Sequence, residues 1–319
     1  MAGPSDIRFV VSASRAPIGK ECYRMTNGLS YNLQKRILIV LFLLVPIALL
    51  AMFSLYPASY LVYLSFMDWD GFSAEKTWVG IANYKEVFQT KEIWEAFSHN
   101  FVYLIWGLFQ NALGLFFALL LNSRLKGRNA YRVMLFMPYI MNGVAVAYMF
   151  NYVFNSEYGS FNTLLRETGL DSLAISWFGS PKAVNHVLGF ITLWKFMGLN
   201  MVIYLAALQS VPSEIVEAAK IDGASRLQTT LRVILPNITK VIELNLFLTI
   251  IGTLEMFDLP FILTGGGPLG ASDTFLTKTV ATAFKFNNFG LASAMSITLI
   301  ALVVVVLGVQ RLVTRRWSN

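Results

Sequence analysis

Six apolar stretches, each long enough to cross a bilayer, constrain this chain more than any other feature. They occupy residues 37–66, 100–121, 133–154, 187–208, 238 to about 261, and 291–309. At roughly 1.5 Å of rise per residue, about 20 helical residues match roughly 30 Å of hydrocarbon. Lipid offers backbone N–H and C=O groups no partners, so continuous apolar runs of this length imply helices; a membrane barrel would show short alternating segments instead. Hydrophobic residues make up 56% of the chain and charged residues 13%, far from the balance of a soluble domain. The expected fold is therefore an all-α polytopic membrane protein with six transmembrane helices. The first run is overlong and contains Pro46 and Pro57, which predicts a tilted or kinked helix.

Charge placement predicts orientation. Arg8, Arg15, Lys20, Arg24, Lys35 and Arg36 precede the first run, and Arg124, Lys126, Arg128 and Arg132 fill the second connection. The fourth connection holds Lys220, Arg226 and Arg232 with Lys240 at its edge, and the tail holds Arg311, Arg315 and Arg316. The other connections carry fewer cations, mixed in the first with many acids. The positive-inside rule then places both termini in the cytoplasm. The net charge of +7 is read as a topology signal and an attraction to anionic headgroups; no nucleic-acid module accompanies it. Residues 1–35 are expected to form a cytoplasmic arm, 36–313 the membrane domain and 314–319 a cytoplasmic tail. The arm lacks a cleavable signal pattern, because the apolar run after it is too long and has no small-residue cleavage site. Cys22 is the one cysteine, so neither an intrachain disulfide nor a thiolate metal cluster can form.

The outer connections carry Trp69, Trp78, Tyr84, Trp94 and Trp177, residues suited to a membrane–water interface. Within an outer loop at 262–290, Gly265, Gly266 and Gly267 followed by Pro268 permit a tight path closed to bulky residues. No Lys-Ser/Thr pair follows, so the run does not fit a phosphate-cradling loop.

Between the fourth and fifth runs lies a polar and small-residue connector at 214–236. Glu217, Ala218 and Ala219 begin a short helix, Asp222-Gly223 turns it, and Leu227, Leu231 and Ile234 recur at spacings that make an apolar stripe on a second helix. Ala218 and Ala219 allow close approach, Glu217 offers a carboxylate, and Pro236 suits the start of the fifth span. The pattern alone fits either an amphipathic interfacial connector or a protein-docking element, and contains no hydrolytic machinery.

The connector resembles the signature of permease subunits of ATP-binding-cassette importers: Glu-Ala-Ala, three residues, Gly, nine residues, an aliphatic residue, one residue, Leu-Pro. Here it reads Glu217-Ala218-Ala219, Gly223, Val233 and Leu235-Pro236, with Asp222 and Ala224 also matching the sugar-importer version. Residues 263–268 resemble the outer-loop Thr-Gly-Gly-Gly-Pro segment of MalF-like carbohydrate permeases. The large periplasmic insertion of the maltose importer has no counterpart, since the second outer connection covers only about 155–186. The resemblance implies a cytoplasmic coupling element whose two short helices sit in a cleft on an ATP-hydrolysing partner, with Glu217 at the interface and Gly223 permitting the turn. It implies a second homologous permease, two ATPase subunits holding ATP and magnesium, an external solute-binding protein, a saccharide cargo and a bacterial inner membrane. This chain itself has neither a Gly-rich nucleotide loop nor a metal-binding carboxylate arrangement, so no cofactor, catalysis or nucleic-acid partner is expected.

A saccharide path combines hydroxyl-binding polar groups with aromatics. The in-span candidates are Asn111, Asn151, Tyr152, Trp194, Lys195, Asn200, Glu243 and Asn245. Lys195 and Glu243 are ionisable and expensive in lipid; they could form an interhelical pair, line a wet translocation surface, or snorkel at a boundary. Helix packing is the commoner role for the asparagines and aromatics. An oligosaccharide, an acidic saccharide or a polyol phosphate are the cargo alternatives. A secondary transporter or channel would account less well for the connector and the glycine loop together.

Overall fold

The computed structural model describes residues 31–123 and 125–315, so the expected arm up to residue 30, Cys22, and the tail beyond 315 lie outside the described residues. The chain divides into two compact units between Ser59 and Tyr60.

In the first unit, helix α1 (Tyr31–Leu50) carries Pro46, and none of its residues is buried. A π-helical turn, Ala51–Leu55, follows, in which the Tyr56 N–H reaches the carbonyl of Ala51. Its position explains it. Pro57 lacks an N–H and its ring crowds the carbonyl four residues back, so widening the preceding turn relieves the clash without ending the helix. Helix α2 (Tyr56–Leu64) begins just before the divide.

The second unit opens with a minimal antiparallel hairpin, β1 (Met67–Asp68) against β2 (Thr77–Trp78), and helix α3 (Ala82–Gln89). Two long helices, α4 (Lys91–Leu121) and α8 (Val184–Gln209), make the central pair. Small residues let their backbones approach: a Cβ on Gly114 would lie 3.1 Å from the Met201 nitrogen, and one on Gly189 would meet the Trp106 ring. Around this pair stand α5 (Arg128–Ile140), α6 (Gly143–Val153) and the short α7 (Ser160–Glu167). The connector supplies α9 (Ser213–Ile221), α10 (Arg226–Thr229) and α11 (Leu235–Asn237). Then come α12 (Thr239–Leu254), α13 (Phe275–Phe284) and α14 (Phe289–Arg315). Three apolar clusters hold the unit together, one around Phe275 and Met295, one around Tyr103, Leu188 and Ile191, and one around Met201, Tyr204 and Ile238.

Among the described residues, four helices are long and apolar enough to cross a membrane, or six if each of two bent pairs counts as one span. The all-α polytopic fold follows. The third run is not one continuous helix, contrary to its reading from hydropathy. It breaks between α5 and α6, which meet at 99°. Met141 and Asn142 take extended backbone there, and the Asn142 side chain caps α6 by accepting from the Val144 N–H at 2.8 Å. The fifth run also departs from expectation. A 70° bend separates the segment ending at Asn237 from α12, and α12 stops at Leu254 instead of continuing to 261. Beyond the break at Glu255–Phe257 a π-helical turn, Pro260–Thr264, enters the loop.

Candidate functional site

The connector is built as two helical pieces around a hard stop. Gly223 adopts φ +81°, the Ala224 N–H bonds back to the Ala219 carbonyl at 2.9 Å, and the Gly223 N–H bonds to Lys220 at 3.1 Å. These are the paired bonds of a Schellman ending, which needs a residue free of the left-handed penalty. Ser225 then starts α10 through a reciprocal capping box with Gln228. A π-helical turn, Thr230–Ile234, precedes Pro236, repeating the device seen before Pro57. Glu217, Ala218, Asp222, Gly223 and Pro236 are exposed, while Ala219 and Leu235 are half-buried. Around them stand apolar side chains left uncovered by the described residues: Ile221 is 86% exposed, Leu227 68% and Leu231 54%. Ile234, expected on the same stripe, instead packs inward against the cluster around Tyr204. A polar face carrying uncovered large aliphatics is a docking surface in form.

A second feature is a cavity of about 380 Å³ where α8, the end of α12 and the break after it converge. Lys195, Asn200 and Asn245 line it, as do Gln110, Glu255 and Asp258. The Nδ2 atom of Asn200 is shut off from solvent and has no hydrogen-bond partner among the described residues, so one donor in the wall awaits an acceptor, while the Asn245 amide faces the Tyr204 hydroxyl. Lys195 Nζ and the Asp258 carboxylate both come within 4 Å of the Cβ position at Gly143, at 3.3 and 3.8 Å. The glycine at the α5–α6 break thus leaves room for two opposite charges to approach one point. Asn111 sits behind the wall, donating to Thr249 Oγ1 at 2.6 Å and accepting from the Tyr204 hydroxyl at 2.7 Å.

The other sequence candidates fall elsewhere. Asn151 and Tyr152 are exposed on α6 away from the cavity. Trp194 packs edge-on against Phe150, with ring centroids 5.1 Å apart. Lys195 and Glu243 do not pair. Glu243 lines separate grooves beside α14, and the ion pair found among the described residues is Lys91–Glu95 at the start of α4. The sequence reading missed Glu255 and Asp258, although two acids inside an expected span carry the same signal that picked out Lys195.

The glycine loop is tied to the far end of this cavity. Gly265 and Gly266 take φ +55° and +86°, and a Cβ on Gly266 would fall 2.2 Å from the Asp273 carboxylate. Gly267 precedes a cis bond to Pro268. Thr264 and Ser272 hydroxyls meet at 2.7 Å across the loop. Asn100 on α4 donates to the carbonyls of Thr253 and Leu254 and accepts from the Phe275 N–H. Thr274 Oγ1 donates to the Met256 carbonyl at 2.6 Å, anchoring the loop to a residue of the cavity wall. Burial raises the Asp273 carboxyl above its ordinary range, while the Thr277 hydroxyl and then Lys278, His99 and Lys285 pull it back.

Comparison with known proteins agrees with this architecture. The family described as "Binding-protein-dependent transport system inner membrane component" matches residues 110–319. The chain is 32% identical over 266 residues to the probable ABC transporter permease protein YurN of Bacillus subtilis (strain 168), covering 82% of this chain and 91% of that one. It is also 32% identical to the multiple sugar-binding transport system permease protein MsmF of Streptococcus mutans serotype c, over 83% of this chain and 91% of that one. A chain in the crystal structure of a bacterial ABC transporter involved in the import of the acidic polysaccharide alginate shares the fold, with a TM-score of 0.79 and 22% identity over 90% of this chain and 98% of that chain. With the match reaching from α4 through the connector to the end of the chain, this protein belongs to the family of binding-protein-dependent transport system inner membrane components.

Proposed function

We propose that this chain is a permease subunit forming half of the path for ATP-driven uptake of a saccharide delivered by a solute-binding protein. The observation that carries the reading is the connector: a helix stopped at Gly223 holds Glu217 and Asp222 in the open beside uncovered Ile221, Leu227 and Leu231. In this reading the surface docks on an ATPase partner that supplies ATP and magnesium chemistry, a second permease completes the path, and both termini face the cytoplasm of a bacterial inner membrane. Glu217, Ala218, Ala219, Asp222, Gly223, Leu235 and Pro236 form the coupling element. Relatives and structural neighbours with sugar or polysaccharide transport in their descriptions support a saccharide cargo.

The cavity refines the cargo. Lys195 alone would favour an acidic saccharide or a polyol phosphate, but Glu255 and Asp258 share its walls, and two carboxylates against one ammonium give an anion no advantage. The unpartnered Asn200 amide, Gln110 and charged groups of both signs around one cavity suit the hydroxyls of a neutral oligosaccharide. The test is ATPase activity of the chain copurified with its partners and reconstituted with candidate binding proteins and their sugars. Stimulation by a neutral oligosaccharide that disappears in Glu217→Ala and Gly223→Pro supports the reading. A chain that copurifies with no ATPase sinks it.

A further inference from the structure

Glu243 is one of the sequence candidates that do not line the cavity. It lies one turn into α12, and its backbone carbonyl accepts a hydrogen bond from Gln310 Nε2 of α14 at 3.1 Å. The start of α12 therefore sits beside the end of α14. On one side of this junction is a groove of about 470 Å³. At its head stand Lys240 and Arg311, both exposed, and its floor is made by Leu244, Phe247, Leu307 and Gly308. Leu244 is 53% exposed, and a Cβ on Gly308 would meet nothing within 4 Å, so the floor is open. Glu243 Oε1 is shut off from solvent and has no hydrogen-bond partner among the described residues.

We propose that this groove between α12 and α14 is a binding site for a glycerol-headed anionic phospholipid, its phosphate on Lys240 and Arg311 and an acyl chain along Leu244, Phe247 and Leu307. The order of chemistry along the helices decides the occupant. Two cations stand at the end of two spans and an uncovered apolar trough runs from them into the span, which matches a phosphate followed by a hydrocarbon tail. An apolar helix from another subunit would fill the trough and leave both cations unanswered. The headgroup is constrained by Glu243. Its carboxyl lines the groove beside the two cations, so a headgroup seated there meets it with a donor from glycerol or ethanolamine but none from choline, and the two cations favour the net-negative glycerol headgroup over the zwitterionic ethanolamine one.

The test uses the full-length chain purified in mild detergent, titrated with phosphatidylglycerol, phosphatidylethanolamine or phosphatidylcholine and read by native mass spectrometry. Phosphatidylglycerol should be retained most strongly. Lys240→Ala and Arg311→Ala should each weaken its retention about five-fold, and the pair roughly 25-fold, if each cation near a headgroup contributes its usual share. Gly308→Phe should displace the lipid while leaving the cations in place, and it serves if the double variant does not elute as a folded monodisperse species. Lys91→Ala, far from the groove, should change nothing. Equal retention of phosphatidylglycerol and either phosphatidylcholine or phosphatidylethanolamine overturns the proposal, as does retention unaffected by Gly308→Phe. A photo-crosslinker at position 308 that captures another protein subunit in native membranes, and no lipid, also overturns it.

Discussion

Gly198 is the position where a single methyl group should do the most damage. It lies midway along α8, and a Cβ there would fall 1.9 Å from the Leu135 carbonyl oxygen, 2.6 Å from its carbon and 2.8 Å from the Phe136 Cα. All three atoms belong to the backbone of α5, so no rotamer change relieves the clash. Real Cβ contacts essentially never fall under 3.0 Å, so α5 must retreat by roughly 1 Å or more, and overpacking of this kind costs about 3 kcal/mol or more. Alanine regains only about 1 kcal/mol through helix propensity. We expect Gly198→Ala to lower the apparent melting temperature in detergent and, because α5 leads into the Met141–Gly143 break beside Lys195, to blunt sugar-stimulated ATPase in the assembled transporter. Gly252→Ala in α12 is the matched control, since its Cβ would meet nothing within 4 Å; it should be neutral or stabilising. Equal melting of the two variants, measured by tryptophan fluorescence under one heating rate, would refute the close-approach argument.

Asn100→Ala should cost about 1–3 kcal/mol for each buried group it orphans, and hydrogen exchange should rise together at Phe275 and in the loop before it, because one side chain serves the Thr253 and Leu254 carbonyls and the Phe275 N–H. Gly223→Ala meets no neighbour but must hold φ +81°, a penalty of about 1–2 kcal/mol; α9 should fray, seen as faster exchange at Asp222 to Ala224, while global melting is unchanged. Asp273 has a raised native pKa, so its contribution to stability is fully present below the ordinary value of 3.8 and is lost as pH rises through the native one. Protection of the glycine loop should therefore fall in the parent as pH rises above 3.8 and through the raised native value, and Asp273→Asn should flatten that slope. Asp70 has the opposite sign. Bonds from the Ser73 and Phe72 N–H groups hold its pKa down, so its turn should loosen as pH falls through that lowered value, and Asp70→Asn should remove the dependence.

Much of the connector was legible because its determinants are local. The Asp222-Gly223 turn and Pro236 act within one or two helical turns and were read directly, whereas the Ser225–Gln228 capping box and the widened turn before Pro236, equally local, were not. The cavity was legible only in part. Lys195, Asn200 and Asn245 were found as polar residues in apolar runs, but the same rule also selected Asn151 and Tyr152, which face outward, and Glu243, which faces the groove beside α14. Helical periodicity gives a residue's neighbours on its own helix and leaves open which face another helix will cover.

Apolar run length, charge bias and the spacing from Glu217 to Pro236 therefore determine from sequence alone that the chain is a polytopic helical membrane protein with an exposed turn between its fourth and fifth spans. Lipid forces that outcome, since an unpaired backbone inside it is too expensive to keep. Tertiary structure decided the rest: that the third span breaks by 99° at Asn142, that Gly143 lets Lys195 and Asp258 approach one point, and that Lys195 and Glu243 serve different surfaces. Those results depend on which helices touch, and that is set by backbone approach at glycines such as Gly198, whose partner atoms lie more than sixty residues away along the chain on α5.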